Sequence, residues 1–372
     1  MTDKRPQTES APEASADDDL RDHRDRIDRI DLDILALMNQ RIEAAKAIGQ
    51  IKSSLAQPAY YRPEREARVL ARLVDENTGP MTSDAVTCLF REIMSLTRGS
   101  EAGLSVSILG PLGTFSEAAA RQHFGSTMQI EPCDTVSDAF RAAETGRTDF
   151  CVVPVENSNE GGVGSTLDRL VTTGLEVCGE INFKVHHNLL SNCEAIADIK
   201  QVTAHPQALA QCRVWLDKNL PNATRMPANS NAEAAVVAAS ESHVAAIAGM
   251  SAAERYKLSV LAQDIEDSAD NTTRFLVLSD RKTPPTRNDK TSLLLSAKNR
   301  PGALLHLLQP LLENKIDMTR LESRPSKTGL WEYVFFIDIE GHQLDERIKT
   351  ALDKLRDEAG LFKLLGSYPR SR

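Results

Sequence analysis

Four polar segments hold the side chains best suited to chemistry, and each lies where a strand-like apolar run begins or ends. They offer hydroxyls, amides, a histidine and an arginine, and they read "GPLGTFSEAA" (110–119), "VPVENSNEGGVGSTLDRL" (153–170), "AHPQALAQC" (204–212) and "DNTTRFLVLS" (270–279). Loops that open a helix present free N–H groups to anions. Taken singly, each segment is more simply explained as a capped turn. Together they pose the question of what reaction needs hydroxyls and a fixed cation at the mouth of a buried strand.

A second group of candidate residues is cationic and lies near the N-terminus. Arg41 and Lys52 are separated by about 1100° of helical rotation, so they lie on nearly one helix face. Arg24 points roughly 100° away from Arg41, so in an antiparallel or intertwined dimer it could serve the partner's pocket. A solvated basic face with i,i+4 ion pairs is the simpler alternative. The segment "YRPERE" adds the charged residues Arg62, Arg65 and Glu66.

Two further segments, "NRPGALLHLL" and "LESRP", fall at a strand-to-helix turn and at a strand end near the C-terminus. Glycine at such a turn permits close approach of the backbone. Ordinary turn chemistry and a surface Glu–Arg pair would explain both segments equally well.

The cysteines and histidines do not form a metal-binding or disulfide pattern. The six cysteines are scattered without a CxxC pair, and the histidines are not clustered at ligand spacing. We therefore expect reduced thiols, no metal and no cofactor. The adjacent His186 and His187 are interpreted as a packed or exposed structural pair rather than as catalytic groups.

The N-terminal candidates are predicted to lie on three helices. Residues 22–52 keep apolar side chains at three-to-four spacing, as a single long helix does. A second helix is predicted for residues 63–77 and a third, capped by Thr82 or Ser83, to about Arg98. The first helix is about 45 Å long and the other two are shorter, so they cannot cover its full length. We therefore expect an intertwined dimer, in which the second chain buries the uncovered part of the first helix.

From residue 104 onward, short β-like runs alternate with helical segments, which predicts an α/β domain with a mostly parallel sheet and ligands at the strand ends. The charged, proline-bearing segment 281–290 is predicted to be a linker. Residues 291–372 read as βαββα with a last strand at 362–368, which predicts a small antiparallel α+β domain.

Composition limits the range of functions. The chain has 372 residues, so we expect two or three domains. Its formal charge of −9 argues against a nucleic-acid or membrane surface as the main partner. Residues 1–20 are polar and acidic and are predicted to be a disordered tail. Without an apolar leader or a membrane-spanning run, the chain is predicted to be cytoplasmic.

The four strand-end segments resemble the prephenate dehydratase family, whose marks GPxGTFS, PxENS, HPQ and TRF occur here in that order over about 104–280. The resemblance implies a two-lobed fold like the periplasmic-type binding proteins, with "EINFKVHHNLL" (180–190) crossing between the lobes. It implies that Thr273 is the central catalytic hydroxyl, and that Asn157 and Gln211 orient the substrate or the leaving group. Arg274 is implied as a carboxylate anchor, and the other implied cleft residues are Thr114, Phe115, Ser116, Glu156, Ser158 and His205.

The implied reaction suits these residue types. Prephenate loses carbon dioxide and a ring hydroxyl, and the gain of aromaticity drives the step, so the enzyme needs only to hold carboxylates and help the hydroxyl leave. A hydrogen-bonded threonine can relay a proton to that hydroxyl, with Glu156 or a water as the ultimate source.

The cationic helical residues resemble the all-helical chorismate mutase module, in which arginines and a lysine hold a small dicarboxylate and one arginine comes from the other subunit. A pericyclic rearrangement needs only a compressed conformer and cations near the breaking ether bond. Glu101 stands where some members carry glutamine, which predicts better mutase activity toward acid because a carboxyl donates only when protonated. The loop before "PERE" is a residue longer than in some members, and Arg62 in that loop is a candidate for a substrate-hydroxyl contact. The residues that carry this match are Arg24, Arg41, Lys52, Arg65, Glu66, Thr97 and Glu101.

The C-terminal pair of segments resembles the ACT regulatory domain, a ferredoxin-like fold whose GAL and ESRP marks shape a phenylalanine site between subunits. Amides near Gly302 would hold the ligand's carboxylate and Leu304 its ring. The residues that carry the match are Gly302, Ala303, Leu304, Glu322, Ser323, Arg324 and Pro325.

The three resemblances imply one cofactor-free route from chorismate through prephenate to phenylpyruvate, with feedback by L-phenylalanine. We expect a mutase domain at 21–101, a dehydratase domain at 104–280 and a regulatory domain at 291–372, in a homodimer or a larger homo-oligomer. The alternatives left open are a non-catalytic sensor with a helical dimerisation stalk and a dehydratase that prefers arogenate.

Overall fold

The structure is a computed structural model that describes residues 13–54, 61–99, 103–297, 300–325 and 333–371. The chain divides into two units, of which the first comprises residues 1–60 and 100–102 and the second comprises 61–99 and 103–372. None of the helices in these described ranges is both long and apolar enough to cross a membrane.

Helices and strands follow one another along the chain as the alternating texture predicts. In the described ranges the helices are α1 (Glu13–Ser54), α2 (Pro63–Glu76), α3 (Ser83–Gly99), α4 (Phe115–Phe124), α5 (Val136–Glu144), α6 (Gly164–Thr172), α7 (Pro206–Gln211), α8 (Arg213–Asn219), α9 (Asn231–Ser240), α10 (Met250–Tyr256), α11 (Ala303–Glu313) and α12 (Glu346–Glu358). The strands are β1 (Ser105–Leu109), β2 (Gln129–Cys133), β3 (Phe150–Asn157), β4 (Gly161–Gly162), β5 (Glu176–Lys184), β6 (Asn188–Ser191), β7 (Gln201–Ala204), β8 (Thr224–Pro227), β9 (Val244–Ala248), β10 (Ser259–Ala262), β11 (Thr272–Ser279), β12 (Asp289–Ala297), β13 (Met318–Pro325), β14 (Tyr333–Glu340) and β15 (Ala359–Pro369).

Helix α1, in the first unit, begins at Glu13 rather than at residue 22, so residues 13–20 of the predicted disordered tail are helical. Alanine, which occurs twice in this stretch, has the highest helix propensity. Many of its apolar side chains are exposed, including Ile27, Ile34 and Leu37. Residues 1–12 lie outside the described ranges.

Helices α2 and α3 belong to the second unit and end within a residue of their predicted bounds. Pro63 opens α2, where its missing N–H costs no helical hydrogen bond. Thr82 caps α3, because its Oγ1 accepts the Ala85 N–H at 3.2 Å. The end of α3 is fastened to the turn after α4, where the Ser95 and Thr127 hydroxyls lie 2.8 Å apart.

Residues 103–279 form two lobes, each built on a mixed sheet rather than a mostly parallel one. The first sheet has the order β2-β1-β3-β11-β5, with β4 paired to β3, and the second has the order β10-β6-β9-β7-β8. Parallel pairs occur at β1/β2, β1/β3, β7/β8 and β7/β9, whereas β11 and β6 run antiparallel to their neighbours. Apart from the local β3/β4 pair, each antiparallel pair in these two sheets involves β6 or β11, the strands that enter a lobe from the other one.

The chain crosses between the lobes twice, after β5 and before β11. The predicted crossover segment is confirmed, because β5 ends in the first sheet at Lys184 and β6 begins in the second at Asn188. The two crossings run side by side: Val185 N donates to Asn271 O and Ile265 N donates to His187 O, each at 2.8 Å. Residues far apart in sequence therefore meet between the lobes.

The C-terminal region folds as βαββαβ with the sheet order β13-β14-β12-β15, as the ferredoxin-like prediction requires. The predicted linker is shorter than expected, because β12 begins at Asp289 and Asp289 itself is buried. One face of this sheet packs against the first lobe in a shared core that includes Leu276, Leu294, Phe336 and Leu365. The other face is covered by α11 and α12.

Candidate active sites

The predicted hydroxyl and amides of the dehydratase motifs meet between the lobes. Thr273 and Asn157 are cross-strand partners on β11 and β3. Asn157 Nδ2 donates to Thr273 Oγ1 at 2.9 Å and to Asn271 Oδ1 at 2.9 Å. Asn271 Nδ2 in turn donates to Gln211 Oε1 at 3.0 Å, and His187 Nε2 lies 2.9 Å from the same oxygen. These five residues are called the interlobe network.

The direction of every hydrogen bond in the interlobe network follows from two backbone donors. Asn157 Oδ1 accepts the N–H groups of Asn159 and Glu160 at 3.0 and 3.3 Å, so the amide nitrogen of Asn157 must face the network. Asn271 then offers its oxygen to Asn157 and its nitrogen to Gln211. Thr273 Oγ1 accepts from Asn157, which leaves its own hydroxyl proton available to a ligand.

The same hydrogen-bond directions determine which nitrogen of His187 carries the proton at the Gln211 end of the interlobe network. Since Gln211 Oε1 already accepts from Asn271, His187 must donate to it from a protonated Nε2. His187 is only 2% exposed, and burial lowers its pKa, which the hydrogen bond to Gln211 and the charge of Glu266 oppose only in part. Among the described residues, neither Gln211 Nε2 nor His187 Nδ1 has a hydrogen-bond partner.

The other predicted cleft residues occupy loop and helix starts around this network. Thr114 and Ser116 lie at the start of α4, and the Phe115 ring packs edge-on against His187 with centroids 5.5 Å apart. Ser158 Oγ donates to Asp270 O at 3.0 Å and ties the end of β3 to the start of β11. His205 caps α7, because its Nδ1 accepts the Gln207 N–H at 3.3 Å. That cap sets the start of the helix that ends at Gln211.

Arg274 is not placed as a carboxylate anchor in the cleft, and this prediction is wrong. Side chains alternate along a strand, so Arg274 points to the opposite face of β11 from Thr273. There it donates to Glu180 at 2.9 Å, to Asp338 at 2.6 Å and to the Tyr368 hydroxyl at 3.0 Å. Burial lowers the pKa of Arg274, but its three partners outweigh burial and raise the pKa overall.

Glu156, like Arg274, does not line the cleft, so it cannot supply the proton of the implied reaction. It is the cross-strand partner of Arg274 and faces the C-terminal sheet. Its Oε2 lies 2.7 Å from Arg320 Nε, as an ion pair rather than an aligned hydrogen bond. The strand alternation excludes it from the face that carries Asn157.

The predicted mutase residues fall in both units. On α1, Arg24 is exposed and Arg41 is half-buried, and Lys52 lies in the same helix. Arg62, directly before α2, and Arg65 on α2 are exposed. Glu66 on α2 and Thr97 on α3 are buried. Glu66 forms ion pairs with Arg98 and, at 3.9 Å, with Arg91, and the Thr97 hydroxyl donates to Ile93 O at 2.7 Å. Glu101 lies outside the described residues.

The predicted phenylalanine-binding residues divide into two sets. Gly302 adopts a left-handed conformation, with φ 73°, at the start of α11, and Ala303 and Leu304 follow it half-buried. On β13, Ser323 and Pro325 are exposed. Glu322 and Arg324 instead face the dehydratase lobe.

The contacts of Glu322 and Arg324 reach the segment that follows Asn157. Arg324 Nη1 donates to Gly164 O at 2.9 Å, and a Cβ added at Gly162 would collide with the Glu322 carboxylate. Glycine at 162 therefore leaves room for the Glu322 carboxylate in its present position. Glu322 is also paired with Arg320.

One set of metal-type ligands comes together in the described part of the chain, at His186, Asp264 and Glu266. His186 Nδ1 lies 3.0 Å from Asp264 and 2.9 Å from Glu266, so the imidazole contacts both carboxylates. Glu266 also accepts the His187 N–H at 2.9 Å. These contacts explain the cluster as a structural one that stabilises the crossing between the lobes.

Sequence reasoning missed Asn271 and set His187 aside. Asn271 directly precedes the threonine pair in the sequence. An amide so close to the predicted catalytic hydroxyl could have identified Asn271 as a site residue. His187 had none, because only the side-by-side lobe crossings bring it to Gln211.

Family comparisons agree with this arrangement along the chain. The matching family models are chorismate mutase type II at residues 23–102, prephenate dehydratase at 106–283 and the ACT domain at 291–357. A bifunctional chorismate mutase/prephenate dehydratase from Neisseria gonorrhoeae is 51% identical over 350 residues, which cover 93% of this chain and 96% of that protein. The chain belongs to this bifunctional family.

Two further relatives support the family assignment. The bifunctional chorismate mutase/prephenate dehydratase of Stutzerimonas stutzeri is 45% identical over 359 residues, covering 95% of this chain and 98% of the relative. The crystal structure of a prephenate dehydratase from Arthrobacter aurescens in complex with L-Phe aligns with a TM-score of 0.67 and 36% identity. It covers 72% of this chain and 90% of that one.

Proposed function

We propose that this chain rearranges chorismate to prephenate and then converts prephenate to phenylpyruvate, under feedback inhibition by L-phenylalanine. It would thus be an isomerase and a lyase in one chain. Family membership and the polarity of the interlobe network support the proposal. The observation that carries the second activity is the Thr273 hydroxyl, which accepts from Asn157 and keeps its own proton for a ligand.

In the dehydratase step, the bond between the ring and its carboxylate breaks, the carboxylate leaves as carbon dioxide, and the electron pair of that bond enters the ring. The C–O bond of the ring hydroxyl breaks, and the departing oxygen takes the Thr273 proton and leaves as water. Thr273 regains a proton from a cleft water, because Glu156 faces the opposite side of β3. Gln211 Nε2 donates to the substrate, and the N–H groups at the start of α4, beside Thr114 and Ser116, hold a carboxylate.

For the mutase step we propose a pocket completed between two chains. The pocket would combine Arg41, Lys52, Arg65, Glu66, Thr97 and Glu101 with Arg24 of the second copy, and Arg62 is a further candidate. The exposed apolar side chains of α1 support a dimer, because large exposed apolar surfaces mark interaction sites.

For regulation we propose a phenylalanine site built from Gly302, Ala303 and Leu304 together with Ser323 and Pro325. We place the domains at 21–101, 104–280 and 291–372. The start of β1 at Ser105 supports the second domain, whereas β12 of the third domain already begins at Asp289. A cytoplasmic location stays a prediction.

The test supplies the purified chain with chorismate, or with prephenate or arogenate, with and without phenylalanine. We expect phenylpyruvate from chorismate and its suppression by phenylalanine. Thr273→Val should slow the prephenate reaction on the order of 10²- to 10⁴-fold, as loss of a general acid does, and Thr273→Ser should retain more activity. Thr272→Val is the matched control, because Thr272 faces the other side of β11.

Each other outcome has a definite meaning. Chorismate loss that stops at prephenate would reject the dehydratase assignment. A product from arogenate but not from prephenate would reassign the substrate, and no turnover of any of the three would favour a sensor.

A further inference from the structure

We propose that His187 is a positioning residue of the dehydratase reaction and acts by fixing the amide of Gln211. This inference rests on the proposed function. His187 and Gln211 come from different segments, a lobe crossing and the end of α7, and the bond between them spans 24 residues of chain.

The first step of the argument concerns the oxygen of Gln211. It accepts from Asn271 Nδ2 at 3.0 Å and lies 2.9 Å from His187 Nε2. A side-chain carbonyl oxygen has two lone pairs, so two donors occupy it fully. They also fix the amide plane, which turns both N–H groups of Gln211 away from these donors.

The second step concerns those N–H groups. Gln211 Nε2 is buried and has no hydrogen-bond partner among the described residues. An unpaired buried donor is destabilising, so its retention points to a ligand that accepts a hydrogen bond from it. The oxygens of the substrate are such acceptors.

The third step concerns how His187 is itself held. Its backbone N–H donates to Glu266 at 2.9 Å, and its ring meets the edge of Phe115. With Nε2 protonated and the ring 2% exposed, His187 can only donate to Gln211. Without that donor, the Gln211 amide could turn over and present its oxygen to the substrate, which would repel a carboxylate.

The test compares substitutions that differ in reach. In His187→Gln the side-chain nitrogen can occupy the place of the imidazole Nε2, whereas in His187→Asn it reaches only the place of Nδ1. We expect His187→Gln to keep the dehydratase kcat within about tenfold and His187→Asn and His187→Phe to lose about 10- to 100-fold, as for loss of an oriented donor. The mutase rate of the same samples should stay unchanged.

A double-mutant cycle completes the test. In a Gln211→Ala background, His187→Asn should cause no further loss, because its effect passes through Gln211. Full additivity, or equal rates for His187→Gln and His187→Asn, would overturn the inference while leaving the proposed function intact. A wild-type chain that fails to convert prephenate would instead reject the proposed function.

A different observation supports a second inference about regulation. The cross-strand pair Asn157–Thr273 faces the interlobe network, and the adjacent pair Glu156–Arg274 faces the regulatory sheet. Each of the two strands therefore carries a network residue on one face and a contact to the regulatory domain on the other.

The regulatory strand β13 holds both ends of the segment that orients Asn157. Arg320 pairs with Glu156 at its start, and Arg324 binds Gly164 O at its end. Between these points lie the N–H groups of Asn159 and Glu160 that fix the Asn157 amide. We infer that displacement of β13 by phenylalanine reaches the dehydratase site through this segment, within one chain.

The test of this coupling uses Glu156→Gln, with Glu160→Gln as the matched control because Glu160 is exposed on the same segment. We expect Glu156→Gln to raise the phenylalanine concentration for half-inhibition at least about fivefold, the lower end of usual allosteric coupling, while the control leaves it unchanged. Phenylalanine binding measured by equilibrium dialysis should persist in both variants. Unaltered inhibition by phenylalanine in Glu156→Gln, or an equal loss of inhibition in Glu160→Gln, would overturn the inferred coupling through this segment. A wild-type chain that phenylalanine does not inhibit would reject the proposed regulation itself.

Discussion

Replacement of Arg274 by methionine tests whether this arginine stabilises the domain boundary or binds substrate. The guanidinium joins Glu180 of the dehydratase lobe to Asp338 and Tyr368 of the regulatory sheet. Its side chain is 12% exposed, and the Glu180 and Asp338 side chains are 1% and 5% exposed. Methionine keeps much of the length and removes the charge.

The expected cost follows from the charges left behind. Removing one partner of a buried ion pair destabilises a protein by about 3–5 kcal/mol, because an uncompensated charge stays buried. In the variant Lys290 Nζ would still lie 2.8 Å from Glu180, so Asp338 is the carboxylate that loses its cationic partner. Asp338 still accepts a hydrogen bond from the Ser292 hydroxyl. We therefore expect about 3 kcal/mol, the low end of this range.

Thermal scanning measures this cost. At about 2.1 cal/mol/K of unfolding entropy per residue, 1 kcal/mol shifts the Tm of a unit of roughly 300 residues by a little under 2 °C, so Arg274→Met should lower the Tm of the dehydratase–regulatory unit by about 5 °C. The double variant Arg274→Met/Asp338→Asn should recover a large part of the loss, because no unpaired charge then remains on Asp338.

The competing explanation makes the opposite prediction. If Arg274 bound a substrate carboxylate, Arg274→Met would raise the KM for prephenate steeply with little change in Tm. A Tm shift below about 3 °C, combined with no recovery in the double variant, would refute the ion-pair reasoning.

Three further predictions concern acid stability and the mutase. Burial, reinforced by the charges of Arg91 and Arg98, lowers the pKa of His123 to about 3 in the folded chain. The unfolded chain therefore protonates this histidine first, and as the pH falls below about 6.5 the free energy of unfolding should decrease by about 1.4 kcal/mol per pH unit. Replacement His123→Gln should accordingly reduce the fall of Tm between pH 7 and 5. Arg24→Ala should abolish most mutase activity, and random mixing with Lys52→Ala chains should restore about a quarter of it; no recovery at any ratio would reject the shared pocket. Mutase activity should rise toward acid in the wild type but not in Glu101→Gln, and coincident pH profiles would contradict the role given to this carboxyl.

The sequence predicted the order of elements because the signals are local. Pro63 and Thr82 set helix starts, and the apolar run after Thr273 set β11, through backbone chemistry that needs no distant partner. The lobe crossing, within 180–190, was instead implied by the family resemblance. Thr273, Asn157 and Gln211 were predicted by motif and do meet.

Strand alternation could have corrected two site assignments from the sequence alone. Neighbours on a strand face opposite sides, so Thr273 and Arg274 could not both line one cleft, nor could Asn157 and Glu156. The local pattern separates these residues but does not say which face is the cleft.

Only the tertiary structure decided that question and completed the site. The regulatory sheet covers the Arg274 face of the first lobe, which leaves the Thr273 face for the cleft. His187 reaches Gln211 because two crossings run side by side, and that pairing joins residues up to 86 positions apart, since Val185 bonds to Asn271. Sequence patterns carry local geometry, whereas hydrogen bonds between distant segments depend on packing that no local pattern encodes.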